Sequence, residues 1–386
     1  MWGKRGSLGL ATAVAVVLLG CVSSVQASYP RAGDGRIVFT RADAKSGLFF
    51  MNSGGGGLVD LTPNTADTYE DEAVVSPDAQ RIAFAREGAT GDFDLFVMGS
   101  DGSAPANVTN TPDLGELMPA FSPDGRRIAS QRFSGGQYDV VVMNADGSGV
   151  VNLTGTAAPL TEGHPDFSPD GRRIVFDGCD AVSCDLFVMN SDGTGMINLT
   201  KTPGEDENDP AFSPDGAKIT YVHFAGGQCD VWSMSADGSA RTPLTNTPGV
   251  DECAPVYSPT AHRILFDLDN GPDNEIYVMN ADGSAQTDLT NTPTVGEFAP
   301  SWEYVYTCGG RRATIVGTDS GEKLRGTKGP DVIVANGGKD TIKGKGGRDR
   351  LCGGSGKDKL LGGKGKDRCV GGPGRDKSKA CEKGKL

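Results

Sequence analysis

The string Ser-Pro-Asp begins at Ser76, Ser122, Ser168 and Ser213, and a Ser-Pro-Thr variant begins at Ser258, in steps of 46, 46, 45 and 45 residues. A period that regular limits the chain to architectures built by stacking one supersecondary unit. Each unit carries further landmarks in the same order. A Val-Met-Asn-like segment centres on Met51, Met98, Met143, Met189, Met234 and Met279, followed by turns such as Asp146-Gly147 and Asp282-Gly283. A Leu-Thr or Val-Thr pair then closes each unit, at Thr62, Thr109, Thr154, Thr200, Thr245 and Thr290.

The third unit parses into four short strands, over about Pro119–Phe121, Arg127–Gln131, Asp139–Asn144 and Val150–Leu153. Asp-Gly between alternating apolar residues is a strong hairpin signal, so each unit reads as a four-stranded antiparallel meander. A single such sheet cannot bury both faces. Successive sheets therefore pack face to face around an axis, which predicts an all-β, six-bladed β-propeller over residues 34–305. The count of six comes from two half-units. Asp34-Gly35-Arg36-Ile37-Val38-Phe39 matches a second strand without its first, and Phe298-Ala299-Pro300-Ser301-Trp302 matches a first strand without its sequel. Joined, they close the ring and remove two open sheet edges.

The segments AFSPDGRRIA, DFSPDGRRIVF and DLFVMNSDGTGMINLT resemble the WD40-like repeats of the TolB propeller family. TolB proteins carry a further α/β domain before the propeller and work with the peptidoglycan-associated lipoprotein. Here the repeat starts soon after the expected leader, so a role in that system is not expected.

Lys4 and Arg5 precede an apolar run from Leu8 to Leu19, which reads as a signal peptide over residues 1–27 ending at Val25-Gln26-Ala27. Leu18-Leu19-Gly20-Cys21 offers a rival lipoprotein site; the expectation is a soluble chain, extracellular or in the cell envelope. Apart from Cys21, the chain holds an even set of eight cysteines without a C-x-x-C pair, which fits disulfides better than zinc. By strand parity Cys179 with Cys184, and Cys229 with Cys253, fall at one end of the propeller, although sequence leaves the pairing open.

Charge divides the chain. Residues 1–305 hold 17 Lys and Arg against 41 Asp and Glu, and residues 306–386 hold 20 against 9, giving nets of −24 and +11. The acidic part lacks the basic footprint that nucleic-acid binding requires.

One glutamate recurs at a fixed place in the loop before each first strand: Glu70, Glu116, Glu162, Glu207, Glu252 and Glu297. At one rim of a propeller, such a ring focuses negative potential able to hold a cation or basic peptide. The competing reading is a structural contact that serves every repeat. His164, beside Glu162, joins the candidate ligand-binding set as one of only three histidines. No G-x-S-x-G or H-E-x-x-H motif occurs, and no catalytic residue is assigned.

After a linker over 306–316, the register changes to nine. Acidic residues stand at Glu322, Asp331, Asp340, Asp349, Asp358, Asp367 and Asp376, with apolar residues two places on at Leu324, Ile333, Ile342, Leu351 and Leu360. GGSGKDKLL and GGKGKDRCV match G-G-x-G-x-D-x-U-x, so residues 317–380 resemble the RTX, or haemolysin-type, repeat. That resemblance implies a small glycine-rich parallel β-roll with Ca2+ held by Asp331, Asp340, Asp349, Asp358, Asp367 and Asp376 together with turn carbonyls. Lys or Arg flanks most of these aspartates, which would weaken a cation site; the alternative is a basic tail drawn to anionic cell-surface polymers. Residues 381–386 form a basic end.

Together these features predict a monomeric, non-enzymatic binding or scaffold protein whose propeller recognises an envelope protein, peptide, glycan or cation. The alternative is an extracellular lyase or glycan-active enzyme using carboxylates at the propeller mouth.

Overall fold

The computed structural model describes residues 33–382 except 43–45, 64–67, 89–90, 112–113, 156–159, 270–273, 293 and 318–320. The expected signal peptide, including Cys21, lies outside the described residues. All regular structure among them is β.

Six four-stranded antiparallel sheets form the propeller. Blade 2 comprises Glu70–Val75, Arg81–Glu87, Phe93–Gly99 and Ala106–Asn107, and blades 3 to 6 repeat this meander. Blade 1 is composite. Its strands Gly33–Ala42, Ser46–Met51 and Val59–Asp60 receive Gly296–Val305 from the far end of the repeat, with Ile37 opposite Trp302.

The sequence landmarks have physical jobs. In the Ser-Pro-Asp turns, the serine hydroxyl donates to the aspartate two residues on, at 2.6 Å in blades 2 to 5. The same oxygen accepts the N–H that opens the next strand, as from Arg127 to Ser122 at 2.9 Å. The closing threonine substitutes for a missing ladder partner: in all six blades its Oγ1 accepts a third-strand N–H at 2.8–3.1 Å. Such pairing satisfies backbone groups that would otherwise be buried without partners.

The core lies between blades. Val38, Leu48 and Phe50 of blade 1 pack with Val75, Ile82, Phe84 and Met98 of blade 2, and the pattern continues around the ring. It closes where Leu265, Ile276 and Val278 of blade 6 meet Ile37, Phe39, Met51 and Trp302. Arginines opening the second strands lie over aromatic rings of the next first strand: Arg81 over Phe121, Arg127 over Phe167, Arg173 over Phe212 and Arg263 over Trp302, at 4.9–5.5 Å.

The tail is a parallel solenoid in which two nonapeptides make one turn of 18 residues. Ile315, Ile333, Leu351 and Cys369 stack on one wall, and Leu324, Ile342, Leu360 and Ser378 on the other. Within 306–316, the expected linker, Thr307–Cys308 pairs with Arg311–Arg312, and Ile315–Val316 already belongs to a solenoid sheet. Cys308 bonds to Cys352 and Cys369 to Cys381, pinning the hairpin and the end of the tail to the stack. In the propeller Cys179 bonds to Cys184, whereas Cys229 and Cys253 remain free thiols.

Trp302 is 2 % exposed at the closing seam. Trp302→Ala should lower stability by about 3–5 kcal/mol, read as a lower urea midpoint; a change near zero would mean that the seam is not part of the core.

Candidate functional site

The six glutamates occupy equivalent positions in the six first strands, but they do not form an open rim. All are buried, at 2 % exposure or less. Glu116, Glu207 and Glu297 accept from the hydroxyls of Thr111, Thr202 and Thr292, and Glu70 and Glu116 pair with Arg86 and Arg132 at 2.6 and 2.7 Å. The threonine contacts tie Glu116, Glu207 and Glu297 to the loops that enter their blades.

The residue two places further on is the one that reaches the axis. Glu72, Met118, His164, Asp209, Ala254 and Ala299 all have positive φ, between 46° and 57°, and each sits at a break in register between first and second strands. Such a bulge re-aims a side chain out of the ladder. Six non-glycine residues held in this sparsely populated region indicate a backbone imposed by its surroundings. The six bulges line an axial cavity of about 300 Å3, which also includes Asp71, Asp166 and Asp267.

The cavity is acidic and internally braced. The backbone N–H of Met118 donates to Glu72 Oε2, Asp209 N–H to Asp177 Oδ2 at 3.3 Å, and Ala299 N–H to Asp267 Oδ2 at 3.2 Å. His164 lies between two carboxylates, with Nδ1 2.5 Å from Asp177 and Nε2 3.0 Å from Asp209. Burial pulls the imidazole pKa down, but Asp177 and Asp209 outweigh it and hold it well above its ordinary value. As an imidazolium with both nitrogens engaged, His164 compensates charge and has no free nitrogen to serve as a general base. Against the pull of burial, its charge holds Asp209 below the usual carboxylate range. Burial first, then Asp71, pushes Glu72 up to about 7, and burial likewise lifts Asp166 and Asp267 to about 7.

A second cavity of about 440 Å3 lies at the opposite end of the axis, between the Ser-Pro-Asp turns and the tail. Pro77, Pro123, Pro169 and Pro214 face Tyr304, Tyr306, Asn336 and Ser355 across it. The tail therefore covers this end. Glu303 bridges the two parts, pairing with Arg36 at 3.0 Å and Arg312 at 2.6 Å.

In the tail, Asp331, Asp340, Asp349, Asp358 and Asp367 are buried, whereas Asp376 in the last turn is partly exposed. One oxygen of each repeating aspartate from Asp349 to Asp376 accepts the N–H of the aspartate 18 residues earlier, at 2.8–3.0 Å. The other oxygen of Asp349, Asp358 and Asp367 is buried with no hydrogen-bond partner. Glycines make this possible: a Cβ at Gly353 or Gly362 would fall within 2.7 Å of the aspartate Oδ2. Burial pushes the Asp349 and Asp358 carboxyls up. Buried, under-satisfied carboxylate oxygens beside stacked carbonyls suit a hard divalent cation. The flanking Lys339, Arg348, Lys357 and Lys366 are exposed, so their charge faces solvent.

Residues 81–242 and 208–304 match the TolB beta propeller domain profile, more than half of the chain. The chain belongs to the TolB β-propeller family. Beyond the TolB propeller, residues 316–351 and 344–377 match the RTX calcium-binding nonapeptide repeat. TolB from Acinetobacter baumannii superposes with a TM-score of 0.61 at 21 % identity, covering 70 % of this chain and 67 % of that one. A putative TolB from Agrobacterium tumefaciens gives 0.52 at 19 % identity, covering 70 % and 99 %. A chain of Kuenenia stuttgartiensis hydrazine synthase gives 0.60 at 16 % identity, covering 72 % and 48 %. At these identities the likeness is one of fold. No curated protein matches the sequence.

The raised carboxyls set a pH dependence for this TolB-family propeller. Besides the axial groups, burial lifts Glu252 and Glu297 to about 7. Between the unfolded carboxyl value of about 4.3 and about 7, the folded state holds more protons than the unfolded one, so stability falls as pH rises. His164 acts in the same sense: its contribution is full below about 6.5 and is lost as pH rises through its raised folded value. Asp209, held low, contributes stability that is lost only as pH falls through its own folded value. With calcium chelated, calorimetric melting should occur a few degrees higher near pH 5 than near pH 8, and Glu252→Gln with Glu297→Gln should flatten the slope. A midpoint that rises with pH would contradict the assignment.

Proposed function

We propose that this protein is a non-enzymatic binding protein of the cell exterior, which takes a cationic group of a peptide at the axial cavity while its tail holds calcium. The supporting observation is the convergence of Asp71, Glu72, Asp209 and Asp267, from several blades, around one cavity whose imidazolium is held by Asp177 and Asp209. Carboxylates grouped in a low-dielectric recess focus potential on an incoming ammonium or guanidinium group. The tail covers the other end of the axis, so the bulge end is the approach for a ligand. Export fits the three disulfides among the described residues and the expected leader. In the tail, the aspartates and turn carbonyls would hold Ca2+, which neutralises buried negative charge and stabilises the stacked turns.

Titration calorimetry of a short lysine-bearing peptide should give salt-sensitive binding, weakened about tenfold or more by Glu72→Gln and Asp209→Asn together. An uncharged peptide of equal length should give no heat. Equal binding by wild type and variant would overturn the axial site.

Ca2+ should raise the melting temperature of the full chain, with about 2.7 kcal/mol gained at a hundredfold excess over Kd. Replacing Asp349, Asp358 and Asp367 with Asn should abolish that rise, and Glu72→Gln with Asp209→Asn should leave it intact. The reverse pattern would place calcium at the axis.

A further inference from the structure

Blade 5 departs from the repeat at two positions that face each other. In blades 1, 2 and 3 the buried glutamate lies opposite an arginine on the second strand: Glu297 opposite Arg41, Glu70 opposite Arg86 and Glu116 opposite Arg132. Those arginines neutralise the carboxylates, at 3.7, 2.6 and 2.7 Å. Two of them also lie over a third-strand aromatic ring, Arg41 over Phe49 and Arg86 over Phe96. In blades 4 and 6 the facing residues are Gly178 and Leu268, so a cation at this place is a feature of half of the units.

In blade 5, with strands Asp206–Phe212, Lys218–Ala225 and Gln228–Ser235, the residue opposite Glu207 is His223. Its ring packs on Trp232 with centroids 4.5 Å apart, as the arginines sit on phenylalanines. The arginine position has thus been given to a metal-competent side chain. The second departure is Glu205. Two residues before the glutamate, units 3, 4, 6 and the closing unit carry Leu114, Leu160, Val250 and Val295. Here the apolar residue is replaced by a carboxylate whose Oε2 lies 3.2 Å from His223 Nε2.

We propose that Glu205, Glu207 and His223 form a binding site for one divalent transition-metal ion of the zinc class. Their ligand atoms lie within 4.8 Å of one another. Two ligands about 2.1 Å from a metal are about 3.0 Å apart at a right angle and about 3.4 Å apart at a tetrahedral angle, and the observed His223–Glu205 separation of 3.2 Å falls between these. A histidine nitrogen with two carboxylates favours zinc-like ions over Ca2+, which takes oxygen ligands. The ion supplies at Glu207 the positive charge that arginine supplies in blades 1, 2 and 3. Glu207 is buried, whereas Glu205 is half exposed, so the ion enters from solvent and keeps coordination positions open to water or an anionic ligand group. The site is independent of the tail's aspartates and of the axial cavity.

The test uses the full chain, saturated with Ca2+ and titrated with Zn2+, as wild type, His223→Arg and Glu205→Leu. Both substitutions install the residue type that other blades carry, so the fold should survive, which melting in zinc-free buffer checks. Wild type should take up one Zn2+ at this site, and each variant should bind it about a hundredfold or more weaker. Co2+ in place of Zn2+ should show visible d–d bands without a thiolate-to-metal band, which separates this site from the free thiols Cys229 and Cys253. Failure of wild type to bind, unchanged affinity in either variant, or a thiolate band overturns the proposal.

Discussion

The structure depends on apolar burial between sheets that cannot bury their faces alone. Each blade hands one face to its neighbour: Ala83, Ala85 and Leu95 of blade 2 meet Phe121, Ile128 and Met143 of blade 3, and Val175 and Leu186 of blade 4 meet Phe212 and Tyr221 of blade 5. A stack of this kind has two unsatisfied ends unless it closes. The strand Gly296–Val305 closes it by pairing with Gly33–Ala42, and the seam is reinforced by Asp34 with Arg263 at 2.7 Å and Glu303 with Arg36 at 3.0 Å. Closure then fixes an axis. Whatever recurs once per blade converges on it or is withdrawn from it according to its register.

Charge follows that geometry. The recurring glutamates are withdrawn into the sheets, where threonine hydroxyls donate to Glu116, Glu207, Glu252 and Glu297 and, in half of the blades, an arginine pairs with the carboxylate. The bulge residues are presented to the axis, and there the units differ: acidic in blades 2 and 5, histidine in blade 4, methionine in blade 3, alanine in blade 6 and at the seam. A frame held constant by structural residues can thus carry a variable lining. The tail applies the same logic in one dimension, because its aspartates hold each turn to the one before, and Asp349, Asp358 and Asp367 keep one buried oxygen without a hydrogen-bond partner.

Repeat period, strand order, ring closure and the nonapeptide solenoid were legible in the sequence because each has a local signature: Ser-Pro-Asp, Asp-Gly, two complementary half-units and an aspartate every ninth position. The axial lining was legible only in part. His164 stood among the candidates, but Glu72, Met118 and Asp209 did not, because regularity draws the eye to Glu70, Glu116 and Glu207 while the lining varies. The usable signal was the variable residue two places after the glutamate, directly before proline or alanine. Partnership between Cys229 and Cys253 looked reasonable from strand parity. Parity brings them to the same end, and the two thiols do lie side by side and interact, although no bond joins them.

The central claim is that the bulged residues, and not the repeating glutamates, meet the ligand. A crystal structure of the full chain with calcium and a lysine-bearing peptide tests it most directly. The account predicts density for an ammonium group within hydrogen-bond distance of Glu72, Asp209 or Asp267, with Glu116 and Glu252 still buried in their sheets. Peptide density seated against the outer strands or in the cavity beneath the tail, with the axial carboxylates untouched, would contradict it.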